Sequence, residues 1–290
     1  LCLPSLVSKR PVWDTFPGAW YTKAADVVMP NGRTLQVATY HHYRDQWADA
    51  FDLSYEDPNG ETKMCHQTTF GMSERLLGAV VGMHGDDNGL ILPPSIAPHQ
   101  VILMPIAPHS DAKVAPTVGD ISARLSSAGI RTKIDDRDVR PGVKHYDWEI
   151  RGAPIRIEIG PRDISSGKCV VSLRTGGKSD EPLDGIVETV TRLLDSVSDT
   201  LRIRAEELND SLVRPLPVDP TSGLAQSENA YSDGTVYELA FDGNDSDAEA
   251  LEKLTGLTLL GECDEELTNE VPCAITGRLT SKRYHIARMY

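Results

Sequence analysis

The stretch TTFGMSERLLGAVVGMHGDDNGLILPPSIAPHQV, residues 68–101, joins a helix pattern to a run of prolines. The helix is indicated by four apolar residues at the spacing of one helix face, Leu76, Leu77, Val80 and Val81. Ser73 stands where a residue that caps the first turn is expected. Because prolines cannot continue a helix, we predict that one folded module ends here and that the next begins near His99.

The longest segment without a charged side chain runs from Asn88 to Ser110. Its length would suit a membrane-spanning helix. It contains five prolines, however, and each of them interrupts the hydrogen bonding of a helix. We therefore predict strand, loop and strand for this segment, and no membrane partner.

Three modules with different patterns surround this boundary. Residues 1–98 indicate an α/β module with antiparallel character, because GRTLQVATYHH alternates apolar and polar side chains like a half-buried strand. Residues 99–205 give the order β-α-β-β-β-α, which predicts a mixed-sheet α/β domain whose first strand, HQVILMPI, is buried. Residues 206–290 form an acidic module, predicted to be a small α+β domain. The predicted fold class is therefore α/β (α+β).

Charge is distributed unevenly along the chain. The formal net charge is −14, and residues 206–290 contribute 17 Asp or Glu against 6 Lys or Arg, a net of −11. Residues 131–178 instead carry 11 Lys or Arg against 7 Asp or Glu, a net of +4. This distribution excludes indiscriminate binding of nucleic acid through the whole surface, and it leaves room for a local basic face.

The cysteines are five in number and scattered, without a CxxC pair. An odd and scattered set is typical of reduced thiols and not of a disulfide framework. We therefore predict a cytoplasmic protein.

Arg75 is a candidate phosphate-binding side chain in the motif FGMSER. It follows Gly71 and Ser73, and a guanidinium near a glycine can approach a nucleotide closely and hold phosphate oxygens in a forked geometry. The alternative is an ordinary surface arginine at the beginning of a helix.

Gln36, Thr39 and His41 are polar side chains on one predicted strand. Strict alternation places Thr39 and His41 on one face and Gln36 on the other, unless a β-bulge intervenes. The alternative to a binding site is a strand with a few polar residues on its solvent-exposed face.

The segment DDRDVRPGVKHYDWEIRGAPIRIEIGPRD, residues 135–163, is rich in cationic and aromatic side chains. Unpaired bases are recognised by such a mixture of stacking faces and hydrogen-bonding groups. Glu149 and Asp163 can accept hydrogen bonds from the edge of guanine. The alternative is a solvated charged face.

Taken together and in this order, these motifs resemble the prolyl-tRNA synthetases of the archaeal and eukaryotic type, over almost the whole chain. The resemblance implies that residues 1–98 are the C-terminal part of a class II catalytic domain with its motif 3, FGMSER. Residues 99–205 would be the anticodon-binding domain. Residues 206–290 would correspond to the family's added C-terminal domain, which is of the zinc-binding type.

The resemblance also implies ligands and site residues. ATP with Mg²⁺, proline and tRNA(Pro) would be the substrates, and the intact enzyme would be a homodimer that needs no side-chain nucleophile. The ATP-binding residues would be Gln36, Thr39, Ser73 and Arg75, and His41 would line the proline pocket. The anticodon would be met by Glu149, Arg151, Arg162, Asp163 and Lys168.

This sequence departs from the family pattern at three places. Val37 and Ala38 replace glycines, and residues 43–47 replace an L-G-Q-N-F run, so the proline pocket is expected to differ. The family's zinc positions correspond to Asp242, Asp247, Cys273 and Thr276. One remaining thiolate does not make a zinc site, so we predict no structural zinc.

Motifs 1 and 2 of the class II enzymes have no counterpart in the sequence. We therefore expect this chain to be a fragment of a proline–tRNA ligase. The alternative is a non-catalytic tRNA- or RNA-binding paralogue of a synthetase.

Overall fold

Seventeen strands and seven α-helices are found in this computed structural model, which describes residues 1–232 and 234–290. The strands are β1 (Leu6–Lys9), β2 (Tyr21–Val28), β3 (Thr34–Arg44), β4 (Ser54–Glu56), β5 (Thr62–Met64), β6 (Gln67–Met72), β7 (Val101–Pro105), β8 (Thr132–Ile134), β9 (Ile155–Ile159), β10 (Lys168–Leu173), β11 (Lys178–Pro182), β12 (Val213–Pro215), β13 (Val236–Ala240), β14 (Thr258–Cys263), β15 (Val271–Pro272), β16 (Leu279–Thr280) and β17 (Arg283–Ala287). The helices are α1 (Gln46–Phe51), α2 (Arg75–His84), α3 (Val114–Ser127), α4 (Pro141–Ile150), α5 (Pro161–Ser166), α6 (Ile186–Leu212) and α7 (Asp245–Thr255). The predicted mixture of α and β structure is confirmed.

The described residues pack as two compact units. One, the central unit, comprises residues 1–3 and 80–206, and the other, the split unit, comprises residues 4–79 and 207–290. Most residues of the predicted first and third modules therefore belong to the split unit. The three-module division at residues 98 and 205 remains a prediction about domains.

An eight-stranded sheet forms the split unit, in the order β12-β13-β17-β14-β1-β2-β3-β6. The two segments of the unit meet where β1 pairs antiparallel with β14, with Ser8 opposite Cys263. Every pairing in the sheet is antiparallel except that of β12 with β13. Two stretches of chain far apart in sequence therefore complete one hydrogen-bonded ladder.

The apolar core of the split unit lies where α7 packs on the sheet. Leu251 of α7 is fully buried, as is Ile286 of β17. The helix begins with a capping box, in which Asn244 accepts from the backbone N–H of Asp247 and Asp247 accepts from that of Asn244. Helix and sheet therefore bury their apolar faces against each other while the helix end is satisfied locally.

The central unit is built on a five-stranded sheet in the order β11-β10-β9-β7-β8. Strand β7 is parallel to both neighbours, whereas β9, β10 and β11 run antiparallel, so the predicted mixed sheet is present. All five residues of β7 are buried, as HQVILMPI predicted. Helix α3 covers the sheet with one apolar stripe, formed by Val114, Val118, Ile121 and Leu125.

The HGDDNG segment is a structural turn in the central unit. Asp86 and Gly89 form an isolated bridge, and Arg174 donates to Asp86 Oδ2 at 2.9 Å and to the Gly89 carbonyl at 3.2 Å. This guanidinium lowers the pKa of Asp86 to about 2. Residues 88–100 form turns and loops with no named strand, so the strand predicted before β7 is wrong. Prolines in this segment cannot donate to a strand ladder.

Helix α4 is an element that the sequence analysis did not predict. It begins at Pro141, which suits a first helical turn because its missing N–H needs no partner there. Lys144 and Trp148, four residues apart, are buried on one face. Within the described residues, no helix combines the length and apolar character needed to cross a membrane.

Candidate functional site

A β-bulge in β3 decides which side chains share a face of the split unit's sheet. Strand β2 pairs with β3 so that Ala25 lies opposite Ala38 but Asp26 lies opposite Gln36, which leaves Val37 as an extra residue. The extra residue moves Gln36 to the face that carries Thr39. The structure therefore contains the bulge that the sequence analysis left open.

A cavity of about 240 Å³ lies on this face, between β3 and the beginning of α2. Its lining includes Gln36, Thr39, Gly71, Ser73 and Arg75. Thr39 lies opposite Gly71 in the pairing of β3 with β6. A Cβ atom on Gly71 would lie 3.1 Å from Thr39 Oγ1, so glycine keeps this part of the cavity open. The Ser73 hydroxyl accepts from the backbone N–H of Arg75 at 3.3 Å, and Arg75 itself is exposed at the rim of the cavity.

A second cavity, of about 400 Å³, shares Gln36 and Thr39 with the first and extends to His41. The Nδ1 atom of His41 lies 2.8 Å from Thr22 Oγ1, and the ring lies 4.9 Å from that of Phe16. Burial lowers the pKa of His41, which favours a neutral imidazole at neutral pH. All five predicted ATP- and proline-binding residues thus line two adjoining cavities. Arg75 stands at one end, and the aromatic rings of Trp13 and Phe16 lie at the other.

The departures from the family pattern lie at these cavities. Val37 and Ala38 both line the first cavity, and Val37 is buried at the bulge. Tyr43 is buried too, with its ring centre 6.2 Å from that of His41. Its hydroxyl lies 3.2 Å from Thr69 Oγ1. Tyr43 therefore stands beside the predicted proline-binding histidine, whereas Val37 and Ala38 narrow the first cavity.

Arg44 occupies a backbone conformation that favours glycine, with φ of 52°. It stands at the glycine of the family's L-G-Q-N-F run. Its guanidinium carbon lies 3.5 Å from the ring centre of Trp20, a cation–π contact that offsets part of the backbone strain. The arginine at this position therefore adds a side-chain contact.

The predicted anticodon residues fall into two groups at opposite ends of β9. Glu149 and Arg151 precede the strand at the end of α4, whereas Arg162 and Asp163 follow it in α5. Lys168 begins β10, which runs antiparallel to β9, so it lies with the second group. At the usual rise per residue the ends of this five-residue strand are roughly 13 Å apart.

Several of these side chains already have partners within the central unit. Glu149 Oε1 lies 3.7 Å from a guanidinium nitrogen of Arg156. Arg151 lies over the Trp148 ring, 5.3 Å from its centre. Asp163 Oδ2 accepts from the backbone N–H at position 160 at 2.7 Å and so caps α5. These contacts fix the carboxylates in place but occupy part of their accepting capacity.

Two buried residues at the cavities were missed by the sequence analysis. Arg10 lines the second cavity, and its guanidinium donates to Asp26 Oδ1 at 2.8 Å. Burial raises the pKa of Asp26, while the ion pair with Arg10 opposes that rise. The signal for Asp26 was an acid inside the apolar run AADVVM, because a buried carboxylate requires a partner. Nothing in the sequence pointed to Arg10.

The four positions that correspond to the family's zinc ligands form hydrogen bonds in the split unit. Thr276 Oγ1 donates to Asp242 Oδ1 at 3.0 Å, and the Asp242 N–H donates to Cys273 Sγ at 3.4 Å. Asp247 is engaged in the α7 capping box. Among residues 1–232 and 234–290, no three His, Cys, Asp or Glu side chains are placed to hold a metal ion. This donor set does not fit zinc.

Comparison with protein families gives one match inside the chain. The family model described as "Anticodon binding domain" matches residues 100–193. These residues form most of the central unit and include all five predicted anticodon residues.

Curated relatives match the chain from end to end. A proline–tRNA ligase of Thermococcus kodakarensis is 41% identical over 100% of this chain and 61% of its own length. A proline–tRNA ligase of Methanoregula boonei is 40% identical over 96% of this chain and 58% of its own length. This chain therefore spans about three fifths of the relatives that it matches.

Solved structures agree with the sequence matches. The chain is similar to the Giardia lamblia prolyl-tRNA synthetase in complex with prolyl-adenylate, with a TM-score of 0.87 and 29% identity over 100% of this chain and 63% of that one. It is also similar to the Cryptosporidium parvum prolyl-tRNA synthetase complexed with L-proline and AMP. The TM-score there is 0.86, with 27% identity over 100% of this chain and 62% of that one.

Proposed function

Because the chain belongs to the prolyl-tRNA synthetase family, we propose that it forms part of a proline–tRNA ligase. The whole protein activates proline with ATP and transfers it to the terminal ribose of tRNA(Pro). One observation supports this proposal: the five predicted ATP- and proline-binding residues, on the bulged strand β3 and at the beginning of α2, line two adjoining cavities. A cytoplasmic homodimer, as the resemblance implies, is part of the same proposal.

The roles follow from the chemistry of each side chain. Arg75, at the exposed rim, holds phosphate oxygens of ATP in a forked contact. Gln36 and Thr39 bind the nucleotide between Arg75 and the proline pocket. His41, neutral and packed near Phe16, lines the pocket for the small apolar ring of proline. Mg²⁺ bound with ATP would neutralise charge on the phosphates.

Catalysis in this proposal depends on position and charge and not on a side-chain nucleophile. The proline carboxylate attacks the α-phosphate of ATP, forming the C–O–P bond of prolyl-adenylate and releasing pyrophosphate. Fixed cations stabilise the charge that develops on the phosphate oxygens. The ribose hydroxyl of tRNA then attacks the carbonyl and displaces AMP.

We assign tRNA recognition to the central unit, supported by the anticodon-domain match to residues 100–193. Arg162 and Lys168 are exposed cations at one end of β9 and suit phosphate. Glu149, at the other end, has a carboxylate oxygen that can accept a hydrogen bond from the pairing edge of guanine. A bound loop would have to extend along the strand to reach both groups.

Proline-dependent ATP–pyrophosphate exchange tests the proposed function. The experiment uses the whole protein that includes this chain, and it compares the parent with Arg75→Ala and with Arg33→Ala. Arg33 is an exposed arginine of the split unit that does not line either cavity. Exchange that requires proline and falls only in Arg75→Ala supports the proposal. Retained tRNA binding without any exchange favours the non-catalytic paralogue.

A further inference from the structure

Arg10 lies buried beneath the surface that carries Gln36, and three hydrogen bonds fix its guanidinium. Nη1 donates to the backbone carbonyl of Leu260 at 2.6 Å. Nη2 donates to Asp26 Oδ1 at 2.8 Å and to Gln36 Oε1 at 3.3 Å. Only 4% of Arg10 and 0% of Asp26 is exposed, and Arg10 Nε also lies 3.4 Å from Asp14 Oδ2, so the guanidinium is held by several partners.

The contact between Arg10 and Gln36 decides how the glutamine amide is turned. A guanidinium has donors only, whereas a glutamine amide has an acceptor oxygen at one end and N–H donors at the other. The orientation of such an amide is assigned from its hydrogen-bond network. Gln36 therefore presents Oε1 to Arg10 and keeps its Nε2 donors for the cavities that it lines.

Asp26 and the bulge hold this contact in register. Asp26 lies directly opposite Gln36 in the pairing of β2 with β3, at the point where Val37 is the extra residue. The ion pair with the Asp26 carboxylate therefore keeps the Arg10 guanidinium next to the strand position of Gln36. Without the bulge Gln36 would project from the other face of the sheet, away from Arg10.

We propose that Arg10, held by Asp26, is a positioning residue that turns the Gln36 amide so that Nε2 donates to the bound nucleotide. The nucleotide group that meets Gln36 is then a hydrogen-bond acceptor, such as a phosphate or ribose oxygen, and not an amino group. This inference rests on the proposed function, because it takes the nucleotide to occupy the cavity beside Gln36.

A purely structural role for Arg10 would predict different effects. Its contacts to Asp26 and Leu260 tie together the segment after β1 and the strands β2 and β14. Removal of the whole side chain would therefore lower stability under either explanation. The deciding variants must keep the fold and change only the amide.

Two conservative variants meet this requirement. Gln36→Glu keeps the shape of the side chain and its acceptor for Arg10 but replaces the N–H donors with a negatively charged carboxylate oxygen. We expect it to raise the KM for ATP in pyrophosphate exchange about tenfold or more, with an unchanged midpoint of unfolding. Arg10→Lys keeps a cation beside Asp26 but loses the planar guanidinium whose Nη2 also donates to Gln36, and we expect a rise of roughly three- to tenfold. Arg33→Lys is the matched control.

An NMR measurement on this chain provides a readout that does not depend on activity. The two side-chain amide protons of Gln36 should have separate, ordered resonances in the parent. In Arg10→Lys they should move toward the positions of a mobile glutamine. In Arg33→Lys they should stay in place.

The outcomes separate the two proposals. If Gln36→Glu impairs ATP use while Arg10→Lys changes neither the KM nor the Gln36 resonances, the positioning role is overturned and the proposed function stands. If Gln36→Glu uses ATP as well as the parent, the donor assignment is overturned. If the parent shows no proline-dependent exchange, the proposed function fails. In that case, the positioning role is also overturned if the Gln36 amide is equally mobile in the parent and in Arg10→Lys.

Discussion

The central and split units use buried charge in different places. In the central unit, Arg174 and Asp135 are buried where loops attach, and the core between the sheet and α3 is apolar. In the split unit, Arg10 and Asp26 are buried on the sheet face that carries the two cavities. A buried charge is costly unless it is paired. Under the proposed function, the split unit accepts this cost where the side chain of Gln36 must be held in one orientation.

Truncation of the central unit's apolar core should have the largest effect. Leu103 of β7 is fully buried, and we expect Leu103→Ala to lower the free energy of unfolding by about 2–5 kcal/mol. Hydrogen exchange of the β7 and β9 amides measures the loss. Val139→Ala, at a position that is 43% exposed, is the control and should change exchange little. Equal exchange in Leu103→Ala and parent would contradict an apolar core as the source of stability.

Removal of the exposed cation at the cavities should affect function without affecting the fold. We expect Arg75→Ala in the whole protein to lose about 2–4 kcal/mol of transition-state stabilisation, the value of one preorganised charge contact. The ATP–pyrophosphate exchange rate measures this loss, and thermal unfolding should be unchanged because Arg75 is exposed. Exchange within about twofold of the parent would remove Arg75 from the ATP site.

Mild acid should weaken the split unit through His285. Burial lowers the pKa of His285 from its usual 6.5 to about 4, so the folded state resists its protonation. Its contribution to stability is complete above pH 6.5 and is lost as the pH falls toward 4. This loss is about 2–3 kcal/mol. Urea unfolding at pH 7 and pH 4.5 measures it.

His285→Asn should flatten this pH dependence, whereas His66→Asn, at an exposed position, should not. The Asn side chain retains a polar group near Cys263, whose sulfur lies 3.2 Å from His285 Nδ1. A parent protein with equal stability at both pH values would exclude His285 as the titrating group.

The central unit's predicted anticodon contact should have a smaller effect. We expect replacement of the central guanine of a proline-tRNA anticodon loop by adenine to cost about 1–3 kcal/mol in binding to this chain. Glu149→Gln should reduce that discrimination more than it weakens binding to the altered loop. Filter binding at two salt concentrations measures both, with Glu188→Gln on the exposed face of α6 as control. Equal binding of both loops would leave residues 131–178 as a solvated charged face.

The smallest effect is expected from a chelator. Because Asp242, Thr276 and Cys273 bond to one another, treatment with EDTA should leave the unfolding midpoint of the split unit unchanged. Elemental analysis should find no stoichiometric zinc. One tightly held zinc per chain would show that these side chains rearrange to bind metal.

Local patterns predicted the elements that depend on their own residues. The continuous apolar run predicted β7, and the helix that follows it in the predicted order β-α-β-β-β-α is α3. Helix α4 was missed because charged residues and buried Lys144 hide its apolar stripe. Its Pro141 was the available signal. Periodicity therefore locates elements whose burial is apolar, and it fails where polar side chains are buried.

The candidate site required information that local patterns do not hold. The FGMSER motif drew attention to Arg75, and the family resemblance assigned roles to the polar residues Gln36 and His41. Alternation alone placed Gln36 on the wrong face, because a bulge arises from pairing with another strand and not from the bulged strand's own period. Arg10 was missed for the same reason, since its partners lie on β2, β3 and β14.

The pairing of β1 with β14 has a consequence for synthesis on the ribosome. Ser8 can form its pair in the ladder only after Cys263 has been synthesised. At usual translation speeds the intervening residues take on the order of 10–50 s to make. Residues 80–206 emerge within that interval and can fold first, while the edge of β1 stays open to unwanted strand partners. Chaperone protection of the nascent chain would therefore matter most before β14 appears.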